Sequence, residues 1–254
     1  MISQTRDNYV SVNGLNMYYE IHGTGEPLLM LHGEFSTIGM FSKVLPELAK
    51  KHQVIAVEQQ GHGHTADIDR SLSFAQMADD TAALLEKLGI KKTDVFGYSG
   101  GGTVALYLAV RHRKLVRKLA LASTGYDTKA YYPGIMEGLQ HLTAESLPPI
   151  LRQEYERVAP NPDGWATLVA KHAAMVAGNE HLEPAQLQSI KADTMVILGD
   201  HDIIRSDYAK ETAKLLHAEL VTIPGDHASY IVEQPNELLA KLTAFLDAPL
   251  GHGD

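Results

Sequence analysis

The segment Gly97-Tyr98-Ser99-Gly100-Gly101 decides the fold, because it sets a serine in a glycine-rich turn. The apolar run Thr93–Gly97 before it predicts a buried strand, and the periodic run Gly101–Arg111 after it predicts a helix. A serine nucleophile in a strand–turn–helix elbow needs small residues two places before and after it, so that strand and helix approach closely. We therefore interpret Ser99 as a candidate nucleophile; the alternative is an incidental serine in a glycine-rich turn.

Composition limits the chemistry that can accompany this serine. The chain has 254 residues, of which 44% are hydrophobic and 21% charged, as expected for a globular protein with a sizeable core. The net charge of -9 disfavours a nucleic-acid partner or an anionic membrane surface. There is no cysteine, which excludes disulfides, cysteine-ligated zinc, iron–sulfur clusters and a thiol nucleophile.

The start of the sequence does not show the pattern of a signal peptide. Met1–Val10 lacks the basic start and apolar core of a signal peptide. No run approaches the roughly 18 apolar residues of a membrane-spanning helix. We expect a soluble, cytoplasmic protein.

Strand and helix patterns alternate along most of the chain. Asn8–Val12 and Leu15–His22 predict a hairpin at the Asn13-Gly14 turn. Further predicted strands are Pro27–Leu31, Gln53–Val57, Thr93–Gly97, Leu119–Ala122, Met195–Leu198 and Leu220–Ile223. Predicted helices are the stretch from the Ser73 cap to Leu88, Gly101–Arg111 and Ser206–Leu216. This alternation predicts an α/β fold with a mostly parallel central sheet flanked by helices.

One long insertion interrupts the alternation. From Gly125 to Ile190 the chain shows short helical stretches broken by prolines, and no good strand pattern. This is longer than a connection between strands needs, and such insertions are usually functional lids. The alternative is a set of helices that covers a sheet edge.

A serine hydroxyl needs a base, and the base needs a carboxylate to orient it. Asp202 follows the predicted strand Met195–Leu198, and His227 follows the strand Leu220–Ile223. Catalytic groups gather beyond the carboxyl ends of such strands. The order Ser99, Asp202, His227 is the one expected for this elbow.

With these motifs in order, the chain resembles the α/β-hydrolase superfamily over nearly its full length. Besides the elbow, the matching segments are His32-Gly33, Glu58–Thr65 with Gly61-His62-Gly63-His64, Gly199-x-x-Asp202, and Gly225-x-His227 with Glu233 and Pro235 behind it. The resemblance implies an α/β-hydrolase fold whose core is residues 1–124 and 191–254, with a helical cap at residues 125–190. It also implies that Asp202, rather than Asp200, is the acid of the triad.

The oxyanion hole is expected to use two main-chain N–H groups. One belongs to Gly100, directly after the nucleophile, and the resemblance assigns the other to Glu34 in the loop after the third strand. Glu34 departs from the family pattern, in which this position is commonly glycine or apolar. Its carboxylate either lies near the scissile group or, as we favour, turns away or is paired. Glu58-Gln59-Gln60 also departs from the usual Asp-x-Arg, which alters a structural ion pair.

Thirteen histidines raise the question of a metal. The tight clusters, His62-x-His64 and Asp200-His201-Asp202, lack the helical i, i+4 pair of a zinc motif, and the resemblance explains both as loops near the active-site face. The glycine run Gly97–Gly102 fits neither a P-loop nor a dinucleotide fingerprint. We expect no metal and no cofactor.

Substrate contacts are expected around the nucleophile and between the insertion and the sheet, where water-poor pockets form. The candidates are His32, Gly33, Tyr98, Tyr131, Met136 and Trp165. We expect a small-molecule, ester-type substrate, no nucleic-acid or membrane partner, and a monomer or homodimer.

The leading hypothesis for function is a serine hydrolase that cleaves a small to medium carboxylic ester or lactone through an acyl-enzyme. An acyltransferase or perhydrolase would pass the same acyl-enzyme to another acceptor. C–C bond hydrolases and prolyl aminopeptidases share the framework, and an aminopeptidase would need a carboxylate in the cap. Its equal candidates are Glu137, Glu145, Glu154, Glu156 and Glu180. A non-enzymatic receptor that signals through cap movement is the hypothesis from another class.

Overall fold

In the computed structural model, which describes residues 8–251, eight strands form one sheet in the order β1-β2-β4-β3-β5-β6-β7-β8. The strands are β1 (Asn8–Val12), β2 (Leu15–His22), β3 (Glu26–Leu31), β4 (His52–Val57), β5 (Thr93–Tyr98), β6 (Val116–Ala122), β7 (Asp193–His201) and β8 (Glu219–Asp226). β2 is antiparallel to β1 and to β4, and all other neighbours are parallel. The predicted mostly parallel sheet is therefore confirmed.

The hairpin at the start of the sheet follows from its two turn residues. Asn13 and Gly14 both have positive φ, 48° and 82°. This is the backbone that a two-residue hairpin turn requires, and asparagine and glycine adopt it most readily. Val12 and Leu15 are consequently paired across the turn, and both are buried.

Helices cover the sheet and fill the long insertion. They are α1 (Leu45–Leu48), α2 (Phe74–Lys87), α3 (Gly100–Arg111), α4 (Pro133–Gln140), α5 (Pro149–Val158), α6 (Trp165–Ala177), α7 (Pro184–Gln188), α8 (Ser206–Leu215), α9 (Ser229–Val232) and α10 (Asn236–Asp247). α2 begins as predicted, since the Ser73 hydroxyl accepts a hydrogen bond from the Gln76 N–H. Gly89 follows its end with φ 73°.

Apolar side chains pack on both faces of the sheet. Leu28, Leu29, Met30 and Leu31 of β3 are all fully buried. Their side chains alternate between two buried clusters, one on each face of the sheet. A continuous apolar run is expected for a central strand that is covered on both sides.

The segment between β6 and β7 contains α4 to α7 and two short 3-10 helices, Thr128–Ala130 and Pro162–Gly164. An isolated bridge between Tyr131 and Ile204 ties its start to the loop after β7. The division into core and cap at residues 125 and 190 stays a prediction. Within residues 8–251, every helix is too short or too polar to reach across a bilayer. Residues 1–7 of the segment tested for a signal peptide lie outside the described part.

Candidate active site

Ser99 lies in a strained turn between β5 and α3. Its φ of 52° and ψ of −123° are unusual for a residue with a side chain, and such strain concentrates at functional sites. A methyl group on Gly97 would lie 2.6 Å from the Gly101 carbonyl oxygen, and one on Gly101 would meet the main chain of Leu31 and His32. The glycines at these positions therefore allow β5, α3 and the end of β3 to approach closely.

Three side chains from separate loops form a hydrogen-bonded series at the carboxyl edge of the sheet. Ser99 Oγ lies 3.0 Å from Nε2 of His227, and Nδ1 of His227 lies 2.7 Å from Oδ1 of Asp202. Asp202 follows β7 directly and His227 follows β8 directly. The Ser99 hydroxyl can give its proton to Nε2 while Asp202 accepts the Nδ1–H.

Asp202 is held by hydrogen bonds that orient both of its oxygens. Oδ1 also accepts the Ile204 N–H at 3.1 Å, and Oδ2 accepts the Ser123 hydroxyl and, at 3.3 Å, the Gly199 N–H. Burial raises the pKa of Asp202, but the His227 ring, the Ser123 hydroxyl and the Ile204 N–H outweigh it and hold the pKa below its ordinary value. The carboxylate is therefore ionised and fixed in place.

Ser123 and Tyr230 are site residues that the sequence analysis missed. The Ser123 oxygen lies 2.5 Å from the Tyr230 hydroxyl, so that Tyr230 donates to Ser123 and Ser123 donates to Asp202. Both residues are buried, and Ser123 has a φ of 52°. The available signal was the position of Ser123 directly after β6, at the same edge of the sheet as the other groups.

Asp200 has a different environment from Asp202. One of its oxygens accepts the Gly225 N–H at 2.8 Å and lies 2.7 Å from Nδ1 of its neighbour His201. The side chain is 43% exposed. Asp200 therefore ties together the ends of β7 and β8, while His227 pairs with Asp202.

The Glu34 carboxylate lies on the other side of Ser99. Its Oε2 lies 3.2 Å from Ser99 Oγ and accepts the Gly100 N–H at 2.8 Å, while Oε1 lies 3.5 Å from Nε2 of the buried His172. The favoured expectation, a Glu34 side chain that turns away or is paired, is met only in its second half: the side chain is paired, but it points to Ser99. Packing in the loop after β3 decided this direction, since Phe35 follows with φ 59° and its ring lies against His172.

Glu34 is ionised at the pH of any ordinary assay. Burial pushes the pKa of Glu34 upward, but His172 and the main-chain N–H groups of Glu34 and Gly100 bring it down to about 2. The Gly100 N–H, which the sequence assigns to the oxyanion hole, therefore stabilises this carboxylate.

Hydrogen bonds between neighbouring loops hold the segment that carries Glu34. His32 donates from Nδ1 to the Gly33 carbonyl at 2.7 Å and accepts the Gln59 N–H at Nε2, 3.2 Å away. Burial lowers the pKa of His32, which keeps the ring neutral and able to accept. Glu58, at the first position of the unusual Glu58-Gln59-Gln60 run, accepts hydrogen bonds from the Ile38 N–H and from His64.

Comparison of the sequence with models of protein families agrees with the observed fold. A family model described as the alpha/beta hydrolase fold matches residues 26–167, more than half of the chain. The chain belongs to the α/β-hydrolase family. The family resemblance inferred from the sequence is thus confirmed.

Relatives of this α/β-hydrolase carry several different activities in their names. A soluble epoxide hydrolase of Corynebacterium is 34% identical over 47% of this chain and 42% of its own length. A putative carbamate hydrolase of Azorhizobium caulinodans is 28% identical over 66% of this chain and 65% of its own length. This chain thus matches less than two thirds of either protein. Carboxylesterase CesB of Bacillus subtilis superimposes with a TM-score of 0.80 at 17% identity, covering 96% of this chain and 92% of that one, which shows the shared fold.

The α/β-hydrolase has a cavity of about 660 Å³ between the sheet edge and the segment after β6. Ser99, His227 and Glu34 lie in its wall, together with Tyr98, Tyr131 and Met136 of the predicted substrate contacts. His32, Gly33 and Trp165 are not among its lining residues. Trp165 is buried behind the wall, with its ring 5.7 Å from that of Phe35 and its Nε1–H donated to the Ala144 carbonyl.

Proposed function

We propose that this α/β-hydrolase cleaves a small to medium carboxylic ester or lactone through an acyl-enzyme on Ser99. The observation that carries the proposal is the series of hydrogen bonds from Ser99 through His227 to Asp202, of 3.0 and 2.7 Å. The series opens into a cavity of a volume that suits small molecules. Esterase names among the structural relatives agree with this chemistry.

Acylation begins when Ser99 Oγ attacks the carbonyl carbon and His227 Nε2 takes the hydroxyl proton. His227 then gives this proton to the leaving alkoxide, so that the C–O bond breaks and an acyl-enzyme remains. Water repeats the sequence: its proton passes to His227, its oxygen joins the carbonyl carbon, and Ser99 regains a proton as the acid leaves. Asp202 stabilises the imidazolium that forms in each half-reaction.

Further site roles belong to the same proposal. The N–H of Gly100 stabilises the oxyanion, together with that of Glu34, once the Glu34 carboxylate has moved away from it. Residues 125–190 act as a cap that keeps water out of the cavity. A cytoplasmic location and a monomer or homodimer stay predictions from the sequence.

Covalent labelling with a fluorophosphonate probe tests the nucleophile. The unaltered protein is expected to take up one probe per chain, and Ser99→Ala none, because the alanine offers no oxygen to phosphonylate. Ser42→Ala, on the exposed surface, is the matched control and is expected to label like the unaltered chain. Stoichiometric labelling of Ser99→Ala would overturn the assignment. Hydrolysis of p-nitrophenyl esters of increasing chain length then measures which acyl groups the cavity accepts.

A further inference from the structure

Glu34 places a negative charge where an ester hydrolase develops negative charge during the reaction. The Gly100 N–H that is to stabilise an oxyanion instead donates to Glu34 Oε2 at 2.8 Å. With a pKa of about 2, the carboxylate stays ionised and competes with the oxyanion for this donor. A neutral ester makes no compensating interaction with a displaced carboxylate, so we expect such an ester to be a poor substrate.

The charges around the cavity favour a cation. Its lining includes the carboxylates Glu34, Asp127 and Glu180, and none of the described lining residues is a lysine or arginine. Glu180 is occupied by the start of α2, where it accepts the Phe74 and Ala75 N–H groups at 2.8 and 2.9 Å. Asp127 accepts the Lys129 N–H at 2.6 Å. Glu34 is therefore the carboxylate that faces the nucleophile.

Glutamates of the segment after β6 do not offer an alternative. Among the five that we considered for capturing an amine, Glu180 alone is one of the described residues that line the cavity, and α2 uses it. Glu154 pairs with Arg157 and accepts the Thr37 hydroxyl. A cation bound near the reacting carbonyl would thus meet Glu34.

The distances around Ser99 limit the position that a cationic group can have in the substrate, relative to the reacting carbonyl carbon. An ammonium group hydrogen-bonded to a carboxylate lies about 2.8 Å from its oxygen. The carbonyl carbon must come within about 3–3.5 Å of Ser99 Oγ, and this Oγ is 3.2 Å from Glu34 Oε2. A nitrogen on the α or β carbon of the acyl group satisfies both conditions.

We propose that Glu34 is a specificity-determining residue that selects esters or lactones whose acyl group carries a protonated amine on its α or β carbon. The ammonium pairs with the carboxylate and draws it away from the Gly100 N–H, which then binds the oxyanion. Glu34 forms no covalent bond and transfers no proton. This inference rests on the proposed acyl-enzyme function and names its substrate class.

The displaced carboxylate has a place to move to. A small cavity of about 20 Å³ is lined by Glu34, Gly100 and His172. The Glu34 side chain also borders the larger cavity, and 18% of it is exposed.

Two esters of the same shape provide the test: the ethyl esters of alanine and of 2-methylpropanoic acid, which differ by an ammonium in place of a methyl group. At pH 6.5 the amine is protonated. We expect kcat/KM of the unaltered enzyme, divided by each ester's rate with hydroxide, to favour the alanine ester by about 10- to 100-fold, as for a hydrogen bond to a charged group. Glu34→Gln is expected to reduce this preference to less than about threefold.

Glu34→Gly separates the two effects of the carboxylate. It is expected to raise kcat/KM for the neutral ester at least about tenfold, since an oxyanion-hole donor becomes free, and to abolish the preference. Glu156→Gln, which removes an exposed carboxylate of α5 outside the cavity wall, is the control that keeps the preference of the unaltered enzyme. An equal preference in the unaltered enzyme and Glu34→Gln would overturn the inference while leaving the hydrolase proposal intact. If neither the unaltered enzyme nor Glu34→Gly cleaves either ester or reacts with the fluorophosphonate, the hydrolase proposal fails, and the inference with it.

Discussion

Two carboxylate–histidine pairs flank Ser99 from opposite sides. Asp202 lies 2.7 Å from His227, whose other nitrogen is 3.0 Å from Ser99 Oγ. Glu34 lies 3.5 Å from His172 and is itself 3.2 Å from the same Oγ. In the first pair the imidazole faces the nucleophile, and in the second the carboxylate does.

This difference in order changes what each carboxylate does. In the proposed mechanism, Asp202 is separated from the reacting atoms by the His227 ring, so its charge would stabilise the imidazolium without opposing the oxyanion. Glu34 contacts Ser99 Oγ and the Gly100 N–H directly, so in the same mechanism its charge would act on substrate and intermediate. Both have lowered pKa values, which shows that ionisation alone does not define a catalytic role.

The largest expected difference between the pairs comes from neutralising each carboxylate in turn. Asp202→Asn is expected to lower kcat about 10⁴-fold, because the amide stabilises the wrong tautomer of His227. Glu34→Gln removes a charge that lies directly beside Ser99 but leaves that tautomer unchanged, so it is not expected to share this loss. Steady-state kinetics on one cleavable ester measures kcat for both variants. A loss below about tenfold in Asp202→Asn would contradict the assigned order.

A smaller loss of kcat is expected when the hydrogen bonds that support Asp202 from behind, from Tyr230 to Ser123 and from Ser123 to Asp202, are removed. Ser123→Ala removes a buried donor to an ionised group and is expected to lower kcat about 10- to 100-fold with little change in KM. Tyr230→Phe, which acts one hydrogen bond further away, is expected to cost less. The exposed Ser42→Ala is the control. A rise in KM with unchanged kcat would instead assign Ser123 to substrate binding.

The smallest expected effect concerns stability in acid, where Glu34 is the group to vary. Its pKa is about 2 in the folded chain against an ordinary 4.5, so folding favours the ionised form. This contribution, at most about 3 kcal/mol, is present above pH 4.5 and disappears as the pH falls towards 2. Urea unfolding between pH 6 and 3 is therefore expected to show a stability difference between the unaltered protein and Glu34→Gln that narrows below pH 4.5. A constant difference over that range would show that the folded surroundings do not lower the pKa of Glu34.

Much of the fold followed from patterns that are local in the sequence. The hairpin at Asn13-Gly14, the Ser73 cap of α2 and the apolar strands were all predictable, because each depends on residues a few places apart. Asp202 and His227 were found by their positions after strands, since parallel strands bring their carboxyl ends to one edge. The hydrogen bonds from Tyr230 to Ser123 and from Ser123 to Asp202 were not predicted, because the position of Ser123 after β6 indicates the sheet edge but not its partners.

The sequence by itself determined that a serine stands in a glycine-lined elbow, with an acid and a base following in order. Only the tertiary structure decided that Glu34 turns to Ser99 and that His172, from a helix far along the chain, lies beside it. The physical reason is how far apart in the sequence the interacting residues are. Backbone conformation in a tight turn depends on adjacent residues, whereas the direction of a side chain depends on packing between distant elements. At Glu34 the residue type alone allowed either direction, and contacts made after the sheet and α6 had come together selected one.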